Sequence, residues 1–126
     1  MAQRYTVGWL FLSLKGRIRR KTYALSGGFL TCLWLFVLMQ IGLAEEESAV
    51  QSTWLLVFLG LFCVSFWSMI ALSVKRLHDI GVSGIAVFVA AALVIIPFLS
   101  LVGFTVLCLW PGMPGANRFG EDPVTR

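Results

Sequence analysis

The chain is a series of long apolar runs separated by short polar islands. The runs are Ala24 to Leu43, Thr53 to Val74 and Ile85 to Trp110, and the islands are residues 1–23, 45–52, 75–84 and 111–126. An apolar run of about twenty residues forms a helix about 30 Å long, the thickness of a bilayer's hydrocarbon core. The first two runs therefore predict full membrane spans over 24–43 and 53–74. The third run, 85–110, is broken by Pro97 and leaves two paths open. One is a single kinked span. The other is a helical hairpin, Ile85 to Ile96 and Phe98 to Trp110, turning over Pro97 to Leu101. Its arms of about 18 to 20 Å are too short to cross, so they would be re-entrant or sheltered among the other helices. Proline suits such a turn because it removes a donor and pushes the preceding residue out of helical geometry.

Ahead of the spans, Tyr5 to Leu14 is apolar and aromatic but too short to cross. It predicts an interfacial helix in the headgroup plane, with Trp9 and Phe11 dipping in and Arg17, Arg20 and Lys21 reaching anionic lipid. The expected fold is an all-α integral membrane protein of one membrane domain, 1–126. It has two full transmembrane helices, a Pro-broken third run and an N-terminal interfacial segment.

Composition agrees with this pattern. The 126 residues are 59% hydrophobic and 13% charged, with a mean hydropathy of +0.89, more apolar surface than a 14.0 kDa soluble core can hide. Basic residues cluster before the first span at Arg4, Lys15, Arg17, Arg19, Arg20 and Lys21, while the loop after it carries Glu45, Glu46 and Glu47 with no basic residue. By the positive-inside rule the N-terminus lies in the cytoplasm and the glutamates lie outside. Lys75 and Arg76 then arrive at the cytoplasmic surface, where their side chains can snorkel to headgroups. Gly42-Leu43-Ala44 imitates a signal-peptidase site, but its apolar stretch is too long for a signal h-region and further spans follow.

Candidate chemistry is sparse. Cys32, Cys63 and Cys108 lie within the apolar runs without metal-ligand or disulfide spacing, and three adjacent glutamates on a loop are solvated charge. No metal and no cofactor is expected. A basic cluster without a binding fold around it gives no case for nucleic acid.

The island Lys75-Arg76-Leu77-His78-Asp79-Ile80-Gly81-Val82-Ser83-Gly84 holds two cations, an imidazole and a carboxylate. The plain reading is an inter-helix turn, with Gly81 and Gly84 supplying backbone freedom. In it Ser83 caps a helix beginning near Ile85, and Asp79 accepts from His78, Arg76 or backbone amides. The functional reading gathers Arg17, Arg20, Arg76, His78 and Arg118 on one anionic group, such as a phospholipid phosphate, with Asp79 or Asp122 orienting them. The Gly/Pro-rich tail joins that surface through Asn117, Arg118 and Asp122 if the last run is a hairpin.

The segments Lys15-Gly-Arg-Ile-Arg-Arg-Lys-Thr-Tyr23, Lys75 to Gly84, Pro97 and Pro111-Gly-Met-Pro-Gly-Ala-Asn-Arg-Phe-Gly-Glu-Asp-Pro123 resemble, in order and over nearly the full length, the YhaH-like bacterial inner-membrane proteins, domain-of-unknown-function family 805. The family pattern falls on Gly16, Arg17, Arg20, Tyr23, Arg76, Leu77, His78, Asp79, Gly81, Ser83, Gly84, Pro97, Gly112, Gly115, Asn117, Arg118, Phe119, Gly120, Asp122 and Pro123. Lys75, Ile85 and Leu101 depart from it, standing where a second Arg, a Trp and a Gly are usual. The resemblance implies a small multi-pass protein of the bacterial inner membrane and no established activity.

Three function classes follow. The first is a non-catalytic protein binding membrane lipids, with a homo-oligomer or another membrane protein as a further partner. The second is a subunit of an oligomeric transporter or channel, although the spans hold little beyond Thr31, Gln40, Ser65 and Ser68 for a polar pathway. The third, an enzyme using His78 with Asp79, has one histidine and no evident nucleophile. The lipid-binding class is the best supported by the residues.

Overall fold

The computed structural model describes residues 6–83 and 85–123. Gly84 of the family pattern, and Arg4 and Arg126 among the basic residues, lie outside the described residues. The chain forms five helices among them: α1 (Val7–Leu12), α2 (Arg20–Leu43), α3 (Ala49–Ile80), α4 (Ala86–Ile95) and α5 (Pro97–Leu109). Among the described residues the only β-type pairing is an isolated bridge between Asn117 and Gly120 in the tail.

At 1.5 Å per residue, α2 is about 36 Å long and α3 about 48 Å. Both are long and apolar enough to cross a membrane. Helix α2 begins at Arg20, four residues before its apolar stretch. Helix α3 begins at Ala49, with the Ser48 hydroxyl accepting the Gln51 amide, and runs to Ile80.

The end of α3 corrects the sequence expectation. The polar pattern predicts a loop over 75–84, but Lys75 to Ile80 remain helical. The helix need not break because each of its charged side chains finds buried partners. It ends at Gly81, whose φ of 94° is left-handed, with Val82 N–H bonded to Leu77 O at 2.9 Å, a Schellman-type ending. A β-carbon at Gly81 would also lie 2.3 Å from Met113 Sδ, so the Met113 side chain would have to shift, but it is the left-handed φ that favours glycine here.

The last apolar run divides at Ile96, which has the extended geometry expected before proline, and Pro97 opens α5. The turn is therefore one residue long and precedes the proline. Leu101 lies inside the first turns of α5, two-thirds exposed, at a place that makes no demand for glycine. Helices α4 and α5 pack on each other and on α3, and α5 also packs on α2. Leu107 and Trp110, at the far end of α5, return to Arg76 near the end of α3 from which α4 departs. At about 15 and 20 Å, neither arm matches the roughly 30 Å hydrocarbon core.

Packing is concentrated at one end. Every buried residue of α3 lies between Ser65 and Asp79, and those of α2 are Tyr23, Ser26, Gly27, Leu30 and Val37. Gly27 admits Phe104 of α5, whose ring would stand 2.3 Å from an added β-carbon, while Tyr23 bonds Ser73 at 3.1 Å and tilts against the same Phe104. Towards the opposite end α2 and α3 meet through edge-to-face pairs, Trp34 with Phe58 and Phe36 with Trp54.

Candidate functional site

Four charged side chains are buried where α1, α3, α5 and the tail converge. Arg17 is 4% exposed, Lys75 and Arg76 0%, and Asp79 3%. Isolated charges would be prohibitively costly there, so each must be paired and hydrogen-bonded. Asp79 sits between two guanidinium groups. Its Oδ1 accepts from Arg17 Nε at 3.1 Å and lies 3.0 Å from Arg17 Nη2, and its Oδ2 accepts from Arg76 Nη1. Arg76 and Asp79 are three positions apart on one helix, the spacing that puts them on one face.

The remaining donors go to backbone oxygens. Arg17 donates to Met113 O and Gly115 O, each at 2.7 Å, and to Gly120 O at 3.3 Å, pinning the tail. Arg76 donates to Leu107 O at 2.9 Å and to Trp110 O, the terminal carbonyls of α5. The Lys75 ammonium donates to Trp9, Leu10 and Ser13 carbonyls at 2.8, 2.5 and 2.7 Å, closing the end of α1, and lies 4.6 Å above the Trp9 ring. A cation at a helix C-terminus satisfies orphan carbonyls and meets the negative end of the dipole. α1 carries no basic residue of its own in its last turn.

This arrangement corrects several expectations. Lys75 and Arg76 do not snorkel, because both are buried and bonded to helix-terminal carbonyls, with Asp79 as the further partner of Arg76. Arg17 does not reach outward from the interfacial segment, since Asp79 and the tail enclose it. Ser83 does not cap α4; its Oγ accepts from Arg118, and Ile85 at the N-cap has no side-chain cap bond. His78 does not donate to Asp79. Its Nδ1 lies 3.3 Å from Gly16 O and its ring stacks on Phe119, with centroids 4.0 Å apart and planes within 3°. With Asp79 enclosed by arginines, the two do not form an acid–base pair.

The tail is folded onto this end. Asn117 Nδ2 donates to His78 O at 3.0 Å, and its Oδ1 accepts the Phe119 amide at 2.9 Å. Asp122 Oδ2 accepts the Gly115 amide at 2.9 Å, and Met113 N–H bonds Asp79 O at 2.8 Å. Gly16, Gly115 and Gly120 have φ of 102°, 79° and 142°. Gly112 is needed for a different reason. A β-carbon there would lie 2.1 Å from Asp79 Oδ2 and 3.3 Å from Arg76 Nη1.

The eight candidate ligand residues thus do not converge on one centre. Arg17, Arg76 and Asp79 form the buried core; Asn117, Arg118 and His78 shape the tail's seat. Arg20 and Asp122 instead line a cavity of about 310 Å³ beside that core, with Arg19, Arg76, Asp79 and the segment Pro111 to Pro114. Arg20 is exposed and makes no hydrogen bond or ion pair with any described residue. The lining carries three guanidinium groups, Arg19, Arg20 and Arg76, against two carboxylates, Asp79 and Asp122. The candidate ligand set left out Lys75, Arg19 and Gly112, which belong to this end. The available signal for Lys75 was an α1 segment ending without a basic residue of its own. Among the described residues no group of three or more His, Cys, Asp or Glu side chains gathers as a metal site.

Comparison with known proteins gives a family match over residues 11–121, described as "Protein of unknown function (DUF805)". The chain belongs to the DUF805 family. The match takes in α2 to α5, Arg17, the charged end of α3 and the tail as far as Glu121. The Escherichia coli K12 protein named "Inner membrane protein YhaI" is 28% identical over 122 residues, 90% of this chain and 87% of the relative. The protein of the same name from E. coli O157:H7 is similar to the same extent. No solved structure gives a significant match to this DUF805 chain.

Proposed function

We propose that this chain is a multi-pass inner-membrane protein, with its N-terminus and tail in the cytoplasm, that acts without catalysis by holding the phosphate of a phospholipid headgroup. Helices α2 and α3 cross the bilayer, and the α4–α5 hairpin enters and leaves from the cytoplasmic face. The inner-membrane name of the E. coli relative and the clustering of basic residues before the first apolar run support that placement.

The single observation that carries the reading is Arg20. It is a guanidinium on a cavity wall with no protein partner among the described residues, beside a core whose cations outnumber its carboxylate. The deeper arginines are not ligand groups in this reading. They are held by Asp79 and backbone carbonyls, and their work is to fold α5 and the tail into the opposite wall. Guanidinium suits phosphate because its planar fork can donate two parallel hydrogen bonds, and basic pockets between spans at the cytoplasmic side suit lipid heads.

The test is native mass spectrometry of the full chain released from nanodiscs of mixed bacterial-type phospholipids. Arg20→Ala should lower retained phospholipid about tenfold or more, the equivalent of one charge-assisted hydrogen bond. Lys15→Ala, at an exposed cation outside the cavity, should change it little. Equal small losses in both variants would show that the basic residues only orient the protein, and would end the headgroup reading.

A further inference from the structure

The cavity that presents Arg20 has a wall of the opposite sign. Asp122 lines it with Arg19, Arg20 and Arg76, and a carboxylate in that position would repel a ligand that was anionic throughout. Asp79, the second carboxylate there, is enclosed by Arg17 and Arg76, so its charge is compensated inside the fold. Asp122 is half-buried and accepts the Gly115 amide through Oδ2. An ionised carboxylate offers about four acceptor positions on two oxygens, so it can hold a further donor alongside those it already has.

Cationic and anionic walls in one cavity of about 310 Å³ suit a molecule bearing one charge of each sign. We infer that the headgroup taken up here is a zwitterionic phosphoethanolamine, its phosphate against Arg20 and its ammonium against Asp122. The inference rests on the phosphate reading above and adds to it the second recognition element. A primary ammonium carries three N–H donors for a carboxylate, as a lysine does. A choline group carries none, and quaternary ammonium is recognised by aromatic cages. The cavity's described lining contains no aromatic ring; beyond the charged groups it is Pro111, Gly112, Met113 and Pro114. A glycerol headgroup brings no cation to Asp122, and a headgroup with a second phosphate brings the wrong sign.

The experiment uses the purified full chain in detergent, offered equal amounts of phosphatidylethanolamine, phosphatidylglycerol and phosphatidylcholine with identical acyl chains, and reads bound lipid by native mass spectrometry. The intact chain should retain phosphatidylethanolamine several-fold over both others. Asp122→Asn keeps a carbonyl oxygen for the Gly115 amide but loses the charge. It should reduce the preference for ethanolamine over glycerol about tenfold, the order expected for one hydrogen bond between charged groups, without lowering phosphatidylglycerol itself. Asp122→Glu, which restores the charge, should keep the preference and separates loss of recognition from loss of fold. Water-soluble glycerophosphoethanolamine should displace the lipid only in large molar excess. Displacement at equal concentration would assign the site to a soluble headgroup and overturn the membrane source. If the intact chain shows no ethanolamine preference, or Asp122→Asn leaves it unchanged, the zwitterion inference falls while the phosphate reading stands. If Arg20→Ala changes the retention of no lipid, the phosphate reading itself falls.

Discussion

Replacing Asp79 with alanine removes one carboxylate from between two guanidinium groups and leaves both without their counter-ion. Asp79 receives contacts from Arg17 Nε, Arg17 Nη2 and Arg76 Nη1, and all three side chains are at least nine-tenths buried. Breaking a buried pair by deleting one partner costs about 3–5 kcal/mol, because an uncompensated charge remains in a low-dielectric setting. Two charges are orphaned here, which puts the expected loss at the upper end. The cavity beside Arg20 can admit water to them and draws it back towards the middle. A loss of about 4 kcal/mol is a large part of the 5–15 kcal/mol that holds a typical domain together. The assay is thermal unfolding of the detergent-solubilised chain followed by size-exclusion recovery, with Arg20→Ala as the reference. Arg20 is exposed and unpaired among the described residues, so its removal should cost within about 0.5 kcal/mol. The tail should also become sensitive to protease in the Asp79 variant, since Arg17 would no longer be oriented to hold Met113, Gly115 and Gly120. An Asp79→Ala protein that melts with the Arg20→Ala protein and keeps a protected tail would refute the view that this carboxylate organises the polar end.

Gly112→Ala should destabilise by about 1–3 kcal/mol in the same assay, since its β-carbon would press on Asp79 Oδ2 and cannot be accommodated without moving the ion pair. Lys75→Met should leave α2 and α3 intact but release α1, because three carbonyls lose their donor together; hydrogen exchange over residues 7–13 should rise several-fold while the exchange of 65–74 stays protected. For orientation, a thiol placed at Glu46 should react with an impermeant reagent from the external side, and a C-terminal reporter should be fluorescent in the cytoplasm rather than enzymatically active outside. An externally active reporter would place the tail across the membrane from the N-terminal arginines and would contradict the contact between Arg17 and the tail carbonyls.

Much of this architecture is legible in the hydrophobic pattern. The apolar runs locate α2 and α3, and Pro97 marks the break in the third run, although the turn falls at Ile96 rather than over Pro97 to Leu101. The glycine-rich tail reads as either a frayed end or turns pinned by Asn117, Arg118 and Asp122, and it is the pinned form that the bonds to His78 O, to Ser83 Oγ and from Gly115 N–H hold. What fails is the end of α3, because a polar segment after an apolar run has two physical solutions. It can leave the helix for water, or stay helical and bury its charges against partners. Hydropathy favours the first and contains no term for the second, since the partners here are mostly backbone carbonyls from distant segments. Gly112 falls in the family pattern, but what it does there is illegible for a related reason. Its value lies in what it leaves uncovered on Asp79, a fact of tertiary contact rather than of turn geometry.

The surplus of buried cations becomes intelligible through the helix ends. Consecutive residues on an α-helix point about 100° apart, so Lys75 and Arg76 must address different neighbours. Lys75 takes the terminal carbonyls of α1, and Arg76 those of α5. Asp79 then falls on the Arg76 side, three residues on, so that among the described residues Lys75 has no ion pair and is met by the terminal oxygens of α1 and the Trp9 ring. A short helix such as α1, with six residues, could not persist by its own hydrogen bonds, and α5 would end with orphan carbonyls inside the protein. A single turn of α3 therefore closes two other helices, and Asp79 on the same turn ties in the tail through Arg17. Neutralising either cation should cost more than its charge alone suggests, because several carbonyls lose their donor together.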